Sequence, residues 1–336
     1  MDVLVSTTSR DMNDRLLSQA GSIGVVLVNW NGAEHTIPCI ESLLAGTVKP
    51  DRIVVVDNGS RDGSPDKIAE RFPDIDLIRN SENLGFTGAN NIGINSLMTE
   101  GCSYIWILNN DTTVDRQCLA VLKEYMEKDS DVAACSGKIL FADPQNLIWY
   151  AGATYNPWTV RIKHRGHAEK DRGQYDTVER VPFISGCCMF VRREAIERVG
   201  VFDDIFFIYG EDTDWCLRAE KAKMRLDYVP LAVIWHKVTA TVKKAKDPKT
   251  RGSTSAFIVY LTSRNSLYLI RMHSGNLFQK CTASSSWALW TCYYGAILLF
   301  LGRLEKFKAL VMSVYDGILQ PLDAVQSIAK MPRYRM

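Results

Sequence analysis

Three sets of residues have the types and spacing to do chemistry. Asp57 follows the apolar run Arg52-Ile-Val-Val-Val56, and Asp111 stands in Asn109-Asn-Asp-Thr-Thr113, directly after Tyr104-Ile-Trp-Ile-Leu108. An acid at the end of a strand can simply cap the helix that follows. Two acids at neighbouring strand ends can instead serve a ligand. A hard divalent ion that keeps several waters needs only one or two carboxylates plus phosphate oxygens, so Asp111 suits a metal shared with a diphosphate. The second set is Glu211-Asp-Thr-Asp-Trp215, after Gly210. If Gly210 opens a helix, three acids occupy its first turn, where the dipole favours their ionised form. A merely charge-decorated helix start has the same appearance. Successive helical positions project ~100° apart, so Glu211 and Asp212 cannot share one role. One can face a cleft as the base that takes a proton from an alcohol, while Asp214 is the candidate for anchoring the helix. The third is His236, after an apolar run ending in Trp235. It could add an imidazole to a metal shell or be structural.

These groups need a frame. Gly24-Val-Val-Leu-Val28 and the runs before Asp57 and Asn109 are uniformly apolar. Helical patterns separate them, through Ile37, Ile40, Leu43 and Leu44, at 66–71 and at 88–98, with a short strand at 76–78. Uniformly apolar strands alternating with helices predict a mostly parallel sheet covered on both faces. Ligands of such sheets bind outside the carboxyl ends of the strands. Each strand here ends in an Asn/Asp/Gly cluster, which marks the binding edge. The stretch 136–236 is less regular and holds Ser185-Gly-Cys-Cys-Met-Phe-Val191, a helix at 193–199 and the acid-led helix after Gly210.

The 336 residues are 46% apolar and 23% charged, which predicts two domains, or one large domain with an appendage, and excludes a disordered or collagen-like chain. The net charge of +2 hides an asymmetry: −9 as far as His236 and +11 beyond it, so a cationic module follows an acidic one. Nine cysteines without CxxC or zinc-type spacing predict free thiols in a reducing cytosol. The first 22 residues carry five charges and no apolar core, so no secretory signal is expected there. Neither GxGxxG nor GxxxxGK[ST] is present, which argues against dinucleotide and P-loop chemistry.

Taken together, Val25-Val-Leu-Val-Asn-Trp-Asn-Gly32, Val54-Val-Val-Asp-Asn-Gly-Ser60, Asn83-Leu-Gly-Phe86, Leu108-Asn-Asn-Asp-Thr112, Gly210-Glu-Asp-Thr-Asp-Trp215 and Trp235-His-Lys237 resemble family 2 glycosyltransferases of the GT-A fold. Tyr260 and Arg264-Asn265 extend the likeness to the rhamnosyltransferase-like branch. The resemblance implies a GT-A type, Rossmann-like α/β domain over 23–237, with a nucleotide-sugar half at 23–115 and an acceptor half at 116–237. It implies a nucleotide-diphosphate-sugar donor, a divalent metal (Mn2+ or Mg2+) and inversion at the anomeric carbon. Asn29 and Asp57 then match nucleoside contacts, with Asn31 nearby, and Asn83 and Gly85 line the pocket beside the donor. Asp111 matches the last position of the family's DxD motif, whose first Asp is replaced by Asn109. Asp212 matches the catalytic base, Glu211 a contact to acceptor or sugar hydroxyls, and His236 a metal or diphosphate ligand.

After the extension at 1–22 and the GT-A domain, 238–336 reads as a basic, aromatic, helical region. Its uncharged stretch at 281–302 holds a strongly apolar run, 287–301, followed by Arg303, Lys306 and Lys308. Fifteen helical residues span about 22 Å, short of a ~30 Å hydrocarbon core. An interfacial or re-entrant helix, a buried core helix and a tilted span all fit. Aromatics clustered in an apolar block do not fit nucleic acid. The expectation is a peripheral enzyme at the cytoplasmic face of the membrane, held through 281–308, adding a sugar (rhamnose from a thymidine diphosphate donor, by the branch resemblance) to a polyprenol-diphosphate-linked glycan. Two alternatives remain. A nucleotidyltransferase also places acids at strand ends but carries a basic glycine-rich loop that Ser22-Ile-Gly-Val-Val lacks. A non-catalytic sugar-nucleotide or membrane-binding protein is favoured by Asn109 and opposed by the Glu211-Asp212 pair.

Overall fold

The structure, a computed structural model, describes residues 21–238 and 255–322. The basic loop at 243–251 and nearly all of the 1–22 extension lie outside the described residues. Strands β1 (Ile23–Asn29), β2 (Arg52–Asp57), β3 (Asp76–Arg79) and β4 (Tyr104–Leu108) pair in parallel in the order β3-β2-β1-β4. Helices α1 (Ala33–Leu44), α2 (Ser64–Arg71) and α3 (Gly85–Thr99) connect them. The apolar residues of β1, β2 and β4 are buried, as expected for strands covered on both faces. One expectation is corrected: β1 lies between β2 and β4, so Asp57 and Asp111 do not stand at neighbouring strand ends.

A second correction concerns strand direction. The sheet continues through β11 (Cys188–Arg192), which runs antiparallel to both β4 and β6 (Val132–Phe141), then through β12 (Arg225–His236), parallel to β6. Short strands β5 (Thr112–Val114) and β10 (Glu179–Arg180) pair antiparallel with β12, and β7 (Ile148–Tyr150) pairs with β6. The hairpin β8 (Ala153–Asn156) and β9 (Arg161–His164) stands apart. The fold is therefore mixed α/β, with a parallel half from β3 to β4 and a mixed half beyond it in which only β6 and β12 pair in parallel. Cys188, Met189, Phe190 and Val191 are buried, and a sandwiched strand is apolar whichever way it runs. β6 escaped notice because Ser136-Gly-Lys138 interrupts its apolar pattern, although all ten of its residues are buried. Lys138 is buried against Asp171 (2.9 Å) and Asp176. Helix α4 (Cys118–Lys128) packs on β12 and β6, and helix α5 (Arg193–Val199) follows β11.

Beyond the acid-led helix α6 (Glu211–Lys221) come α7 (Ala256–His273), α8 (Leu277–Phe300) and α9 (Leu304–Leu319). α9 is fastened to α7 by Tyr260 Oη donating to Asp316 Oδ2 (2.5 Å) and by Arg271 Nη1 donating to the carbonyls of Gly317 (2.9 Å) and Gln320 (2.8 Å). All of the run 287–301 but its last residue belongs to a helix of 24 residues. α8 buries Ala283, Thr291, Gly295 and Leu298 while exposing Leu277, Phe278, Leu289, Tyr293 and Phe300, so it is not a buried core helix. Among the described residues, no helix is long and apolar enough to cross a membrane.

Candidate active site

β5 is only three residues long, yet its pairing sets His236 opposite Thr112. Asp111 Oδ1 consequently lies 3.0 Å from His236 Nε2, across 125 residues of chain. Burial pushes the Asp111 carboxyl up, but the hydrogen bond and charge of His236, together with His35, hold it below the usual carboxylate range. The His236 ring stands edge-on to Trp149 at 5.0 Å, and its Nδ1 is buried without a hydrogen-bond partner. Asn109 Oδ1 is likewise buried and unpartnered. Among the described residues no three His, Cys, Asp or Glu side chains gather into a metal-holding group. Asp111 and His236 offer one oxygen and one nitrogen, with the Asn109 amide oxygen in the same turn. A divalent ion fits such a set only when a ligand's oxygens and water complete its shell.

The second acidic set has a different character. Gly210, at φ 106°, opens α6 with Glu211, Asp212 and Asp214 in the first turn, as the sequence predicts. Asp214 is fully buried and accepts from His273 Nε2 (2.7 Å) and Arg218 Nε (2.8 Å), which pins the helix. Asp212 accepts from the backbone N–H of Gly186 (3.1 Å) and Thr213 (2.8 Å). Glu211 is 5% exposed, and its Oε2 has no partner. Burial raises both carboxyls, Glu211 well above its ordinary value, and the charge of Asp212 adds to that rise. Of two interacting acids, the one with fewer donors keeps the proton. The donors to Asp212 favour its ionised form, and burial beside that charge favours the protonated form of Glu211.

Backbone pairing ties the two sets together. Gly186 N–H donates to Asp212, and the next carbonyl, Cys187, accepts from Asn109 N–H at 3.0 Å. Cys188 then pairs with Leu108. The segment leading into the antiparallel β11 thus links Asp212 to the end of β4, where Asn109 and Asp111 follow.

A cleft of about 390 Å³ opens at this end of the sheet. Asn58, Asn83, Gly85, Asn109, Asn110 and Asp111 form its polar side, and Trp30, Phe86, Phe207, Tyr209, Phe257 and Ile258 its apolar side. Asn58 Nδ2 donates to Asn83 Oδ1 and to the Gly85 carbonyl, both at 3.0 Å. Gly85 has φ 78°, and a Cβ there would sit 2.5 Å from Phe207, so glycine is required. Of the expected site residues, Asn83, Gly85, Asn109 and Asp111 line the cleft, whereas Asn29, Asn31, Asp57, Glu211, Asp212 and His236 are not on its wall. Asn29 Nδ2 donates to Asp57 Oδ1 (2.7 Å), Thr36 Oγ1 donates to Asn29 Oδ1 (2.8 Å), and Ser60 N–H donates to Asp57 Oδ2 (3.0 Å). The two side chains brace the ends of β1 and β2. Asn31 is exposed at φ 46° and accepts from Arg61 N–H at 2.8 Å. Their neighbours Trp30 and Asn58 reach the cleft instead. Sequence reasoning quoted both without a role, and it missed Phe207, Tyr209 and Phe257, which carry no local signal.

The family described as Glycosyl transferase family 2 matches residues 24–200, more than half of the chain. The chain is 27% identical over 278 residues to the N-acetylglucosaminyl-diphospho-decaprenol L-rhamnosyltransferase of Mycobacterium tuberculosis, covering 75% of this chain and 85% of that one. It is 30% identical over 181 residues to the dTDP-rhamnosyl transferase RfbF of Shigella flexneri, covering 53% and 57% respectively. A crystal structure of GalNAc-T7 with UDP, GalNAc and Mn2+ superposes with a TM-score of 0.53 at 18% identity, over 64% of this chain and 43% of that one, which shows a shared fold. The chain, a GT-A type fold with rhamnosyltransferases among its relatives, belongs to glycosyl transferase family 2.

Proposed function

We propose that the chain is an inverting transferase that moves L-rhamnose from dTDP-rhamnose to a hydroxyl of a polyprenol-diphosphate-linked glycan. The observation that carries this reading is the run of backbone bonds that links Asp212, through Gly186 and Cys187, to the end of β4 from which Asn109 and Asp111 extend. The names and coverage of the mycobacterial and Shigella relatives support the donor and acceptor classes. Asp212, ionised and oriented by Gly186 and Thr213, takes the proton of the acceptor hydroxyl. The acceptor oxygen bonds to the anomeric carbon on the face opposite the diphosphate, whose bond to that carbon breaks, so configuration inverts and no covalent nucleophile is needed. Glu211, protonated, donates a hydrogen bond to a sugar or acceptor hydroxyl. Asp111 and His236, with Asn109 beside them, would hold Mn2+ or Mg2+, which offsets the charge that develops on the leaving diphosphate. Apolar and aromatic side chains line part of the cleft at this end of the sheet.

The acceptor reading extends to the membrane. The exposed side of α8 includes Leu277, Phe278, Leu289, Tyr293 and Phe300, and no charged residue occurs from 281 to 302. Lys280, Arg303, Lys306 and Lys308 flank it, and a basic residue near anionic lipid contributes roughly 1 kcal/mol. This supports a peripheral position on the cytoplasmic leaflet.

The test is transfer from dTDP-rhamnose to a synthetic polyprenol-diphosphate glycan in vesicles, with the anomeric configuration of the product read by NMR. Transfer with inversion supports the reading. A product of retained configuration removes the mechanism, and donor binding without turnover favours the non-catalytic alternative. A Leu289→Glu, Tyr293→Glu double variant should lose flotation with anionic vesicles while still turning over a water-soluble acceptor.

A further inference from the structure

The segment that delivers Glu211 and Asp212 is neither helix nor strand, and Phe207 (φ 64°), Tyr209 (φ 71°) and Gly210 (φ 106°) all lie in the left-handed region. Bulky residues stay at positive φ only where their surroundings over-determine them. Here the constraint comes from α7, on the far side of 239–254 in sequence. Asn265 Nδ2 donates to the carbonyls of Phe206 (3.1 Å), Ile208 (3.0 Å) and Tyr209 (2.6 Å). Arg264 Nη2 donates to the carbonyls of Ile205 (3.0 Å) and Phe206 (3.2 Å). Asn265 Oδ1 in turn accepts from Arg264 Nε (3.0 Å) and Nη2 (2.8 Å), so the two side chains act as one unit. Arg264 is fully buried, with its guanidinium over the rings of Tyr260 and Tyr268, and Asn265 is 2% exposed. The opposite side of the loop is held too: Thr87 N–H donates to the Phe207 carbonyl at 3.0 Å, and Phe207 packs where Gly85 has no Cβ.

We propose that Arg264 and Asn265 are positioning residues for glycosyl transfer. By gripping four successive-turn carbonyls of 205–209 they fix the entry to α6, and with it the placement of the Asp212 carboxylate and of the Phe207 and Tyr209 wall. The inference rests on the reading above, in which Asp212 takes the acceptor's proton. α6 itself is anchored independently, by Asp214 to His273 and Arg218 and by Trp215 Nε1 donating to the Gly200 carbonyl (2.9 Å). Freeing the loop therefore leaves the helix in place.

The experiment compares the full chain with Asn265→Ala and with Ser266→Ala, a control whose hydroxyl bonds back to the Thr262 carbonyl of its own helix. Three quantities are read: hydrogen exchange over 205–212, kcat, and the affinity and stoichiometry of dTDP-rhamnose binding by calorimetry. Asn265→Ala should speed exchange in 205–212 and leave β1, β2 and β4 protected. It should lower kcat about 100-fold, the effect of displacing a reacting group by about 1 Å, with the stoichiometry of donor binding unchanged and any loss of affinity smaller than the loss of kcat. Asn265→Gln, which keeps the amide on a longer arm, should do the same to a smaller degree and serves if the alanine variant does not fold. Unchanged exchange, a loosened loop with full kcat, or a loss of kcat matched by lost binding stoichiometry would each overturn the proposal. A wild-type chain without turnover would count against the transferase reading alone, because the exchange still reports whether the pair holds the loop.

Discussion

Two acidic centres meet at the end of β4, and their surroundings drive them apart. At the first, Asp111 gains a hydrogen bond from His236 and stays ionised in spite of burial. At the second, Glu211 and Asp212 are raised by burial and, for Glu211, by the adjacent charge. The side chains are of one chemical type, so the difference lies in the elements that carry them. A β5–β12 pairing supplies an imidazole to Asp111, whereas a tight left-handed turn drops Glu211 and Asp212 into the protein, where Asp212 accepts from the N–H groups of Gly186 and Thr213 and Glu211 keeps one buried oxygen without a partner. Carboxyls separated in this way suit two tasks, one holding positive charge and the other moving a proton.

The comparison can be broken at either end. Asp212→Asn should have the largest effect, lowering kcat by about 10²- to 10⁴-fold, as expected for a general base, with donor affinity retained. In the wild type, kcat should fall on the acid side with a midpoint above the ordinary aspartate value of ~3.9, because Asp212 must be ionised to act and burial raises it. Asp111→Asn should lower kcat by about 10²- to 10³-fold, and Mn2+ should no longer strengthen donor binding in calorimetry. Glu211→Gln should have the smallest effect on rate and an informative one on stability. A carboxyl raised in the folded state lets the unfolded chain ionise first, so wild-type stability falls as pH rises from the unfolded towards the folded value. The amide has no such loss. The variant's Tm should therefore match the wild type in mild acid and exceed it by a few degrees at pH about 8; a gap that shrinks with rising pH would show that Glu211 is not the buried neutral acid.

The parallel half of the sheet was legible because Val25 to Val28 and their counterparts are apolar on both faces and stop at Asn, Asp and Gly. The first-turn acids after Gly210 were legible for the same local reason. β11 was recognisable as an apolar run but not as antiparallel, since burial carries no direction. The quoted motifs also do not say which way a side chain turns: Asn29 and Asp57 face each other, and Trp30 and Asn58 face the cleft. Asp214 was expected to anchor its helix, but its partner His273 lies 59 residues away with nothing local to mark it. Phe207 and Tyr209 owe their backbone to Asn265, so no periodicity around 207 could have revealed them. The charge count divided the chain at His236, yet Phe257 and Ile258 of α7 line the cleft.

The most direct test of the division between the two acidic centres is calorimetric binding of dTDP-rhamnose to wild type, Asp111→Asn and Asp212→Asn, each with Mn2+ and with chelator. The expected result is metal-dependent binding that disappears in Asp111→Asn and persists unchanged in Asp212→Asn. Equal loss in both variants, or loss in Asp212→Asn alone, would contradict it.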